Sequence, residues 1–296
     1  MTNKIAEVTL PGDSARSLLT TVEAHDKVAA FSEQFLAGLD DARLEHTHLA
    51  CTGPDGDLVA IAALAPDDSA ELAVDPEHRG RGIGTQLVDV LLERNPKAGL
   101  WAHGDLPAAR ALAKSRGLGV TRELLVMAIN GDELREAAKV ELPEGFSDLG
   151  YSEAVERWGT ETVEQAWLDA NNHAFEWHPE QGGWDLDRLH RGMEAEWFDP
   201  QGVRFLYEGD SLAGFHWTKM HPDVTGEVYV VGLDSSYRRK GLGDPLLRIG
   251  LNHLVGQGSS EVKLYVEADN GAAVARYENL GFLTVQKHIV YQQNAS

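Results

Sequence analysis

One stretch of this chain occurs twice. "LAVDPEHRGRGIGTQLVDVLL" (72–92) and "VGLDSSYRRKGLGDPLLRIGL" (231–251) align without a gap at an offset of 159 residues. Each runs from an apolar strand end through an Asp and a short turn into Arg-x-x-Gly-x-Gly, and then into apolar residues at helical spacing. A duplication restricts the fold more than composition does, because the chain becomes two copies of one supersecondary plan. The length of 296 residues agrees, since single cores stop growing near ~250–300 residues.

The repeat extends outward in both directions. "GLWAHGDLPAARALAKSRGL" (99–118) and "VKLYVEADNGAAVARYENLGF" (262–282) each read as strand, turn, short helix and a closing glycine, with Gly117 or Gly281 free to take the left-handed helix-ending conformation. A β-rich run follows each, "VTRELLVMAI" and "FLTVQKHIVYQ". Ahead of each core, 47–66 and 203–222 alternate around Gly-Pro-Asp-Gly and Glu-Gly-Asp-Ser, which predict hairpins. Helical patterns lie upstream, around 14–39 and 160–175, and apolar periodicity lapses at 139–150. The expected architecture is α/β with mixed sheets, in two domains spanning 1–141 and 148–296.

Charge narrows the partners. With 26 basic against 47 acidic residues the net charge is −21, a surface that repels phosphate backbones and anionic lipid, so neither nucleic acid nor membrane is an expected partner. Cys51 is the one cysteine; it forms no internal disulfide and reads as a buried strand residue. No window approaches the ~20 apolar residues of a spanning helix, and the N-terminus lacks an apolar signal core. A cytoplasmic monomer is expected.

A strand feeding Arg-x-x-Gly-x-Gly and then a helix presents unpaired N–H groups, helix-dipole charge and cations at one point, an anion site suited to a pyrophosphate. A solvated basic loop capping a helix is the alternative reading of either copy alone. The spacing fits neither Gly-x-Gly-x-x-Gly nor Gly-x-x-x-x-Gly-Lys-Ser/Thr.

What the whole order resembles is the GNAT acetyltransferase superfamily. The match lies in residues 238–243 and in "NGAAVARYENLGF" (270–282), and it covers nearly the whole chain as two tandem copies. The resemblance implies acetyl-CoA as co-substrate and no metal. In the second copy it implies coenzyme contacts from the strand end Val231, Gly232 and Leu233, from the turn Arg238, Arg239, Lys240 and Gly241, and from Leu242, Gly243 and Asp244 at the helix start. The later helix would add Asn270, Gly271, Ala272, Ala273, Val274 and Ala275. In the first copy the corresponding contacts are Leu72, Ala73 and Val74, then Gly80, Arg81, Gly82, Ile83, Gly84 and Thr85. There the coenzyme would be held without turnover.

The copies differ where the chemistry falls. Glu227 lies opposite Asp68, Tyr277 opposite Ala113 and Asn270 opposite Leu106. Read alone, Glu227 is a solvated edge-strand carboxylate, Tyr277 a core aromatic and Asn270 a helix N-cap. The resemblance makes Glu227 the general base and Tyr277 the general acid, so the second copy is active and the first degenerate.

"HAFEWHPEQGGW", "GEVYVVGLDSSYRRKGLG" and "LYVEADNGAAVARYENLGF" resemble more narrowly a tandem family within this superfamily, one that acetylates the cysteinyl amine of cysteinyl-glucosaminyl-inositol. That resemblance implies acceptor contacts from Glu33, Glu176, Lys219, Glu227 and Tyr265. Another small amine such as an aminoglycoside, a basic protein tail, or an acyl-CoA sensor without turnover are the competing readings. His173, His178 and His190 match no metal-ligand spacing. The Trp residues at 158, 167, 177, 184, 197 and 217 read as packing.

Overall fold

The computed structural model describes residues 4–176 and 181–293, so Trp177 and His178 lie outside the described residues. The chain divides into two compact units. The N-terminal unit comprises Met1–Leu125 with Glu267–Asp269 and Gln286–Ser296, and the C-terminal unit comprises Val126–Val266 with Asn270–Val285.

The N-terminal unit runs β1 (Ile5–Val8), α1 (Gly12–Asp26), α2 (Glu33–Gly38), β2 (Thr47–Thr52), β3 (Leu58–Leu64), β4 (Ser69–Val74), α3 (Ile83–Arg94), β5 (Gly99–His103), α4 (Pro107–Ser115) and the first part of β6 (Leu118–Asn130). The C-terminal unit takes the rest of β6 and continues with α5 (Gly131–Ala137), β7 (Phe146–Gly150), α6 (Tyr151–Trp158), α7 (Thr160–Ala174) and α8 (Leu186–Met193). It goes on through β8 (Val203–Glu208), β9 (Ser211–Met220), β10 (Gly226–Leu233), α9 (Gly243–Gly256), β11 (Glu261–Glu267), α10 (Gly271–Asn279) and the start of β12 (Leu283–Gln293).

The expected hairpins are present. β2 and β3 pair antiparallel around the turn at 53–56, and β8 and β9 around Gly209. Gly117 and Gly281 close α4 and α10 with φ of +69° and +99°. The sheet faces carry separate cores. In the N-terminal unit Leu87, Val88 and Leu91 of α3 pack on one face with Cys51, and Leu18, Leu19, Phe31 and Phe35 on the other. Cys51 is a buried strand residue, and burial raises its thiol pKa. In the C-terminal unit Trp167 and Trp217 stand at the centre of one core, with Trp158, Trp184 and Trp197 around them. These five tryptophans of the C-terminal unit are therefore packing residues, as the sequence suggests.

The linear cut at 139–150 differs from the division of the units, which falls at Leu125/Val126. The reason is an exchange of last strands. In the N-terminal unit the strand beside β5 is not β6 but the segment of β12 from residue 286 onward, with His288 opposite His103 and Tyr291 opposite Leu100. In the C-terminal unit the strand beside β11 is the segment of β6 from Val126 onward. Each β-rich run completes the sheet that begins in the other half of the sequence.

One shared detail positions the site. β4 pairs with parallel β5 only where Ser69–Ala70 face Gly99–Leu100, and β10 pairs with parallel β11 only where Gly226–Val228 face Val262–Leu264. Beyond those residues β4 continues to Val74 and β10 to Leu233. Each strand keeps its antiparallel neighbour there while leaving the parallel one. This is the splay that the glycine turn requires ahead of it.

Candidate active site

The two glycine turns have one backbone. Residues 80 and 239 both take positive φ, +72° for Gly80 and +62° for Arg239, and Gly82 and Gly241 follow at +79° and +77°. Left-handed φ favours glycine. It turns the chain so that α3 and α9 begin directly after, and neither helix has a side-chain cap. Their first N–H groups therefore point from the turn unclaimed by a capping side chain, an anion-binding arrangement.

The first cation of each motif is hydrogen-bonded to the protein itself. Arg79 donates to both carboxylate oxygens of Asp26, at 2.8 and 2.7 Å, and to the Val74 carbonyl at 3.0 Å. Its hydrogen bonds hold the Asp26 carboxyl below the usual range. Arg238 donates to the carbonyls of His173 and Ala174, the latter at 3.2 Å, at the C-terminus of α7. The two arginines clasp the C-terminal ends of α1 and α7, and Arg239 and Lys240 stand exposed beside Arg238 at the second turn. Lys240 lies 4.6 Å above the Tyr237 ring. Arg276 on α10 adds a cation that the motif spacing did not reveal. It ion-pairs with Asp244 and fills the space where a Cβ on Gly243 would stand.

In the N-terminal unit the turn opens on a cavity of about 450 Å³. Its walls are Leu72–Val74, residues 78–80 and 82–85 of the turn and helix start, Trp101–His103 of β5 and the apolar side of α4. The size suits a small-molecule site. At one wall His103 Nε2 donates to Glu71 at 2.9 Å, and the Ser32 N–H donates to the other Glu71 oxygen at 2.8 Å.

Glu71 alters the comparison of the copies. β10 carries a bulge between Val228 and Val230 that β4 lacks, one extra residue that shifts the register upstream of it. Glu227, opposite Lys263, therefore corresponds to Ser69, opposite Gly99, rather than to Asp68. Asp68 lies ahead of the strand with φ +69° and accepts from Asn95. The strand carboxylate of the first copy is Glu71, 1% exposed. Ala113 still occupies the place of Tyr277, buried on α4.

In the C-terminal unit Glu227 is not a solvated carboxylate. It is 6% exposed and accepts a hydrogen bond from His221 Nε2 at 2.6 Å. Its in-register neighbours are Lys219 on β9 and Lys263 on β11, so three ionisable residues share one sheet face. Lys219 is buried, with Nζ 4.8 Å above the Trp197 ring. Tyr265, two residues past Lys263, is 42% exposed and so is not a core residue.

Tyr277 is half-buried on α10, its ring 5.8 Å from Phe282. Burial raises its pKa, so the phenol keeps its proton at neutral pH. Asn270 caps this helix, its side chain accepting from the Ala273 N–H at 3.3 Å, and residues 271–275 form the first turns. Of the other expected acceptor contacts, Glu176 is exposed just past α7 in the same unit, and Glu33 opens α2 in the N-terminal unit, exposed. Among the described residues no His, Cys, Asp and Glu cluster suits a metal, and no helix is long and apolar enough to cross a membrane.

The model of the acetyltransferase (GNAT) family matches residues 17–125 and again 153–282. The chain belongs to that family. This acetyltransferase is 52% identical over 282 residues to the mycothiol acetyltransferase of Corynebacterium efficiens, covering 95% of this chain and 92% of that protein. It is 46% identical to the mycothiol acetyltransferase of Corynebacterium glutamicum strain R, with 95% and 94% covered. Among solved structures, a tandem GNAT protein from the clavulanic acid biosynthesis pathway covers 100% of both chains at a TM-score of 0.70 and 16% identity. An N-acetyltransferase of Sphaerobacter thermophilus reaches 0.65 at 20% identity, covering 97% of this chain and 94% of that one. These two likenesses carry the tandem GNAT fold, in which β4 and β10 are the strands that lead into the glycine turns. Members of the family use acetyl-CoA as donor, and the uncapped starts of α3 and α9 fit its pyrophosphate.

Proposed function

We propose that this acetyltransferase moves the acetyl group of acetyl-CoA onto the cysteinyl amine of cysteinyl-glucosaminyl-inositol, the reaction that forms mycothiol, and that the C-terminal unit carries it out. Acetyl-CoA supplies an activated thioester carbonyl. Glu227 accepts a proton from the amine as its nitrogen bonds to that carbonyl, directly or through one water. The N–H groups of 231–233, where β10 leaves β11, face the thioester oxygen as negative charge grows on it. Tyr277 gives its proton to the departing sulfur as the carbon–sulfur bond breaks. The amide and the free thiol of coenzyme A leave, and the proton held by Glu227 balances the one lost from Tyr277.

The observation that carries this reading is the buried Glu227 on the splayed strand of the same unit whose α10 bears a protonated tyrosine. The names of the relatives support the choice of acceptor. Lys219, Glu176 and Tyr265 are proposed as contacts to its hydroxyls and amine. The cavity of the N-terminal unit supports a second coenzyme site that holds acetyl-CoA without transfer, in a monomeric, cytoplasmic protein.

The test is to incubate the purified chain with acetyl-CoA and a panel of amines while following thiol release. Turnover with cysteinyl-glucosaminyl-inositol should exceed that with any aminoglycoside. Faster turnover with an aminoglycoside, or none with any amine, would refute the proposal.

A further inference from the structure

We infer that His221 positions the Glu227 carboxylate for proton transfer, which makes the turn joining β9 to β10 part of the catalytic apparatus. The inference rests on reading Glu227 as the base. His221 Nε2 donates to Glu227 Oε2 at 2.6 Å. That bond occupies one carboxylate oxygen and leaves Oε1 to take the proton. A glutamate has three side-chain torsions to fix, and a buried one without a tether samples geometries in which Oε1 faces the wrong way.

Both ends of the tether are fixed. Glu227 stands beside the β-bulge, paired on both flanks. His221 opens a tight turn in which its N–H donates to the Thr225 carbonyl and its carbonyl accepts from the Val224 N–H, each at 2.9 Å. Val224 takes φ +61° to close that turn, a conformation a β-branched residue adopts only under constraint. Asp223 holds the far side by accepting from the Thr225 N–H at 3.1 Å. Among the described residues, Lys219 and Lys263 stand in register with Glu227 on either strand, and their ammonium groups lie 4.8 and 5.9 Å from the Trp197 and Tyr265 rings. The imidazole hydrogen-bonds the carboxylate directly. Stability alone gives little reason to bury such a pair, since apolar residues of similar volume serve as well.

The test uses the full chain with acetyl-CoA and cysteinyl-glucosaminyl-inositol. His221→Ala should lower kcat about 10- to 100-fold, the size of a misplaced catalytic group, and leave the KM for acetyl-CoA unchanged. His221→Gln, whose amide nitrogen reaches as far as Nε2, should recover most of the loss. In a Glu227→Gln background, His221→Ala should cause no further loss, because it acts only through the carboxylate. Should the Ala variant fail to fold, His221→Asn, too short to reach, takes its place.

Parental kcat in His221→Ala, no recovery in His221→Gln, or an additive loss in the double variant would overturn the inference. Parental turnover in Glu227→Gln would instead remove Glu227 as the base. An impaired Glu227→Gln beside an unimpaired His221→Ala sinks only the role of His221.

Discussion

Arg239 takes φ +62° at the place in its turn where the first copy has Gly80 at φ +72°. A left-handed residue with a side chain is disfavoured by about 1–2 kcal/mol, yet the second turn keeps one and thereby aims an exposed guanidinium into solvent beside the uncapped α9. Arg239→Gly should leave thermal stability within about 1 kcal/mol of the parent, because the lost strain offsets the added chain entropy. It should weaken acetyl-CoA binding roughly tenfold, the size of one charge-assisted hydrogen bond. Calorimetric titration beside a melting curve measures both; unchanged affinity would mean that the arginine does not meet the coenzyme.

Tyr277→Phe should lower kcat about 100-fold, the range of a lost general acid, with acetyl-CoA affinity nearly intact. The hydroxyl alone is removed, and the ring keeps its packing on Phe282. Steady-state kinetics with a thiol reagent checks this, and a variant as fast as the parent would take Tyr277 out of the reaction.

Gly82→Val should halve the acetyl-CoA stoichiometry while turnover persists. Nothing crowds a Cβ at Gly82, so the harm comes from φ +79°, which a β-branched residue resists. Equilibrium dialysis counts the sites. Loss of turnover with the second site still filled would give the N-terminal unit more than a holding role.

Gly250→Ala should destabilise the C-terminal unit by about 1–3 kcal/mol through overpacking. A Cβ there would overlap the His216 ring. Urea denaturation reads the loss, and pairing the change with His216→Ala should restore part of it. Equal stability of Gly250→Ala and the parent would show that the ring can move aside.

Acidification should destabilise the fold before its carboxylates protonate. His216 is fully buried, and burial lowers its pKa to about 4. His46 and His48 are lowered by burial as well. The unfolded chain holds these imidazoles near 6.5, so it binds more protons than the native state once the pH falls below that. The stabilisation from neutral burial is whole above pH 6.5 and drains away as the pH falls toward 4. For His216 it is on the order of 3 kcal/mol. Urea midpoints should drop between pH 7 and 5, and less steeply in His216→Asn; a flat profile would contradict the burial.

The repeat, the hairpins, the glycine turns and the caps at Asn270, Gly117 and Gly281 were legible because each depends on residues close in sequence. The bulge at Tyr229 was not, since one extra β-branched or aromatic residue in an apolar strand leaves no mark in composition. It hid Ser69 as the counterpart of Glu227. The clasp of Arg79 on Asp26 joins residues 53 apart in sequence, and the same charges read equally well as anion ligands. His221 carries no motif that marks it in the sequence; only the fold brings its ring to Glu227. The destination of "VTRELLVMAI" and "FLTVQKHIVYQ" was hidden for a simpler reason. Both are strands of similar make, and either could complete either sheet.

That exchange of last strands has a consequence for synthesis. The edge of β5 must wait, uncovered, until residues 286–293 have left the ribosome. An unpaired strand edge is an invitation to aggregation, so the first-made half is most vulnerable while the polypeptide is still growing. Separately expressed fragments cut between residues 141 and 148 would each carry the other's missing seam, and only co-expression should yield folded material.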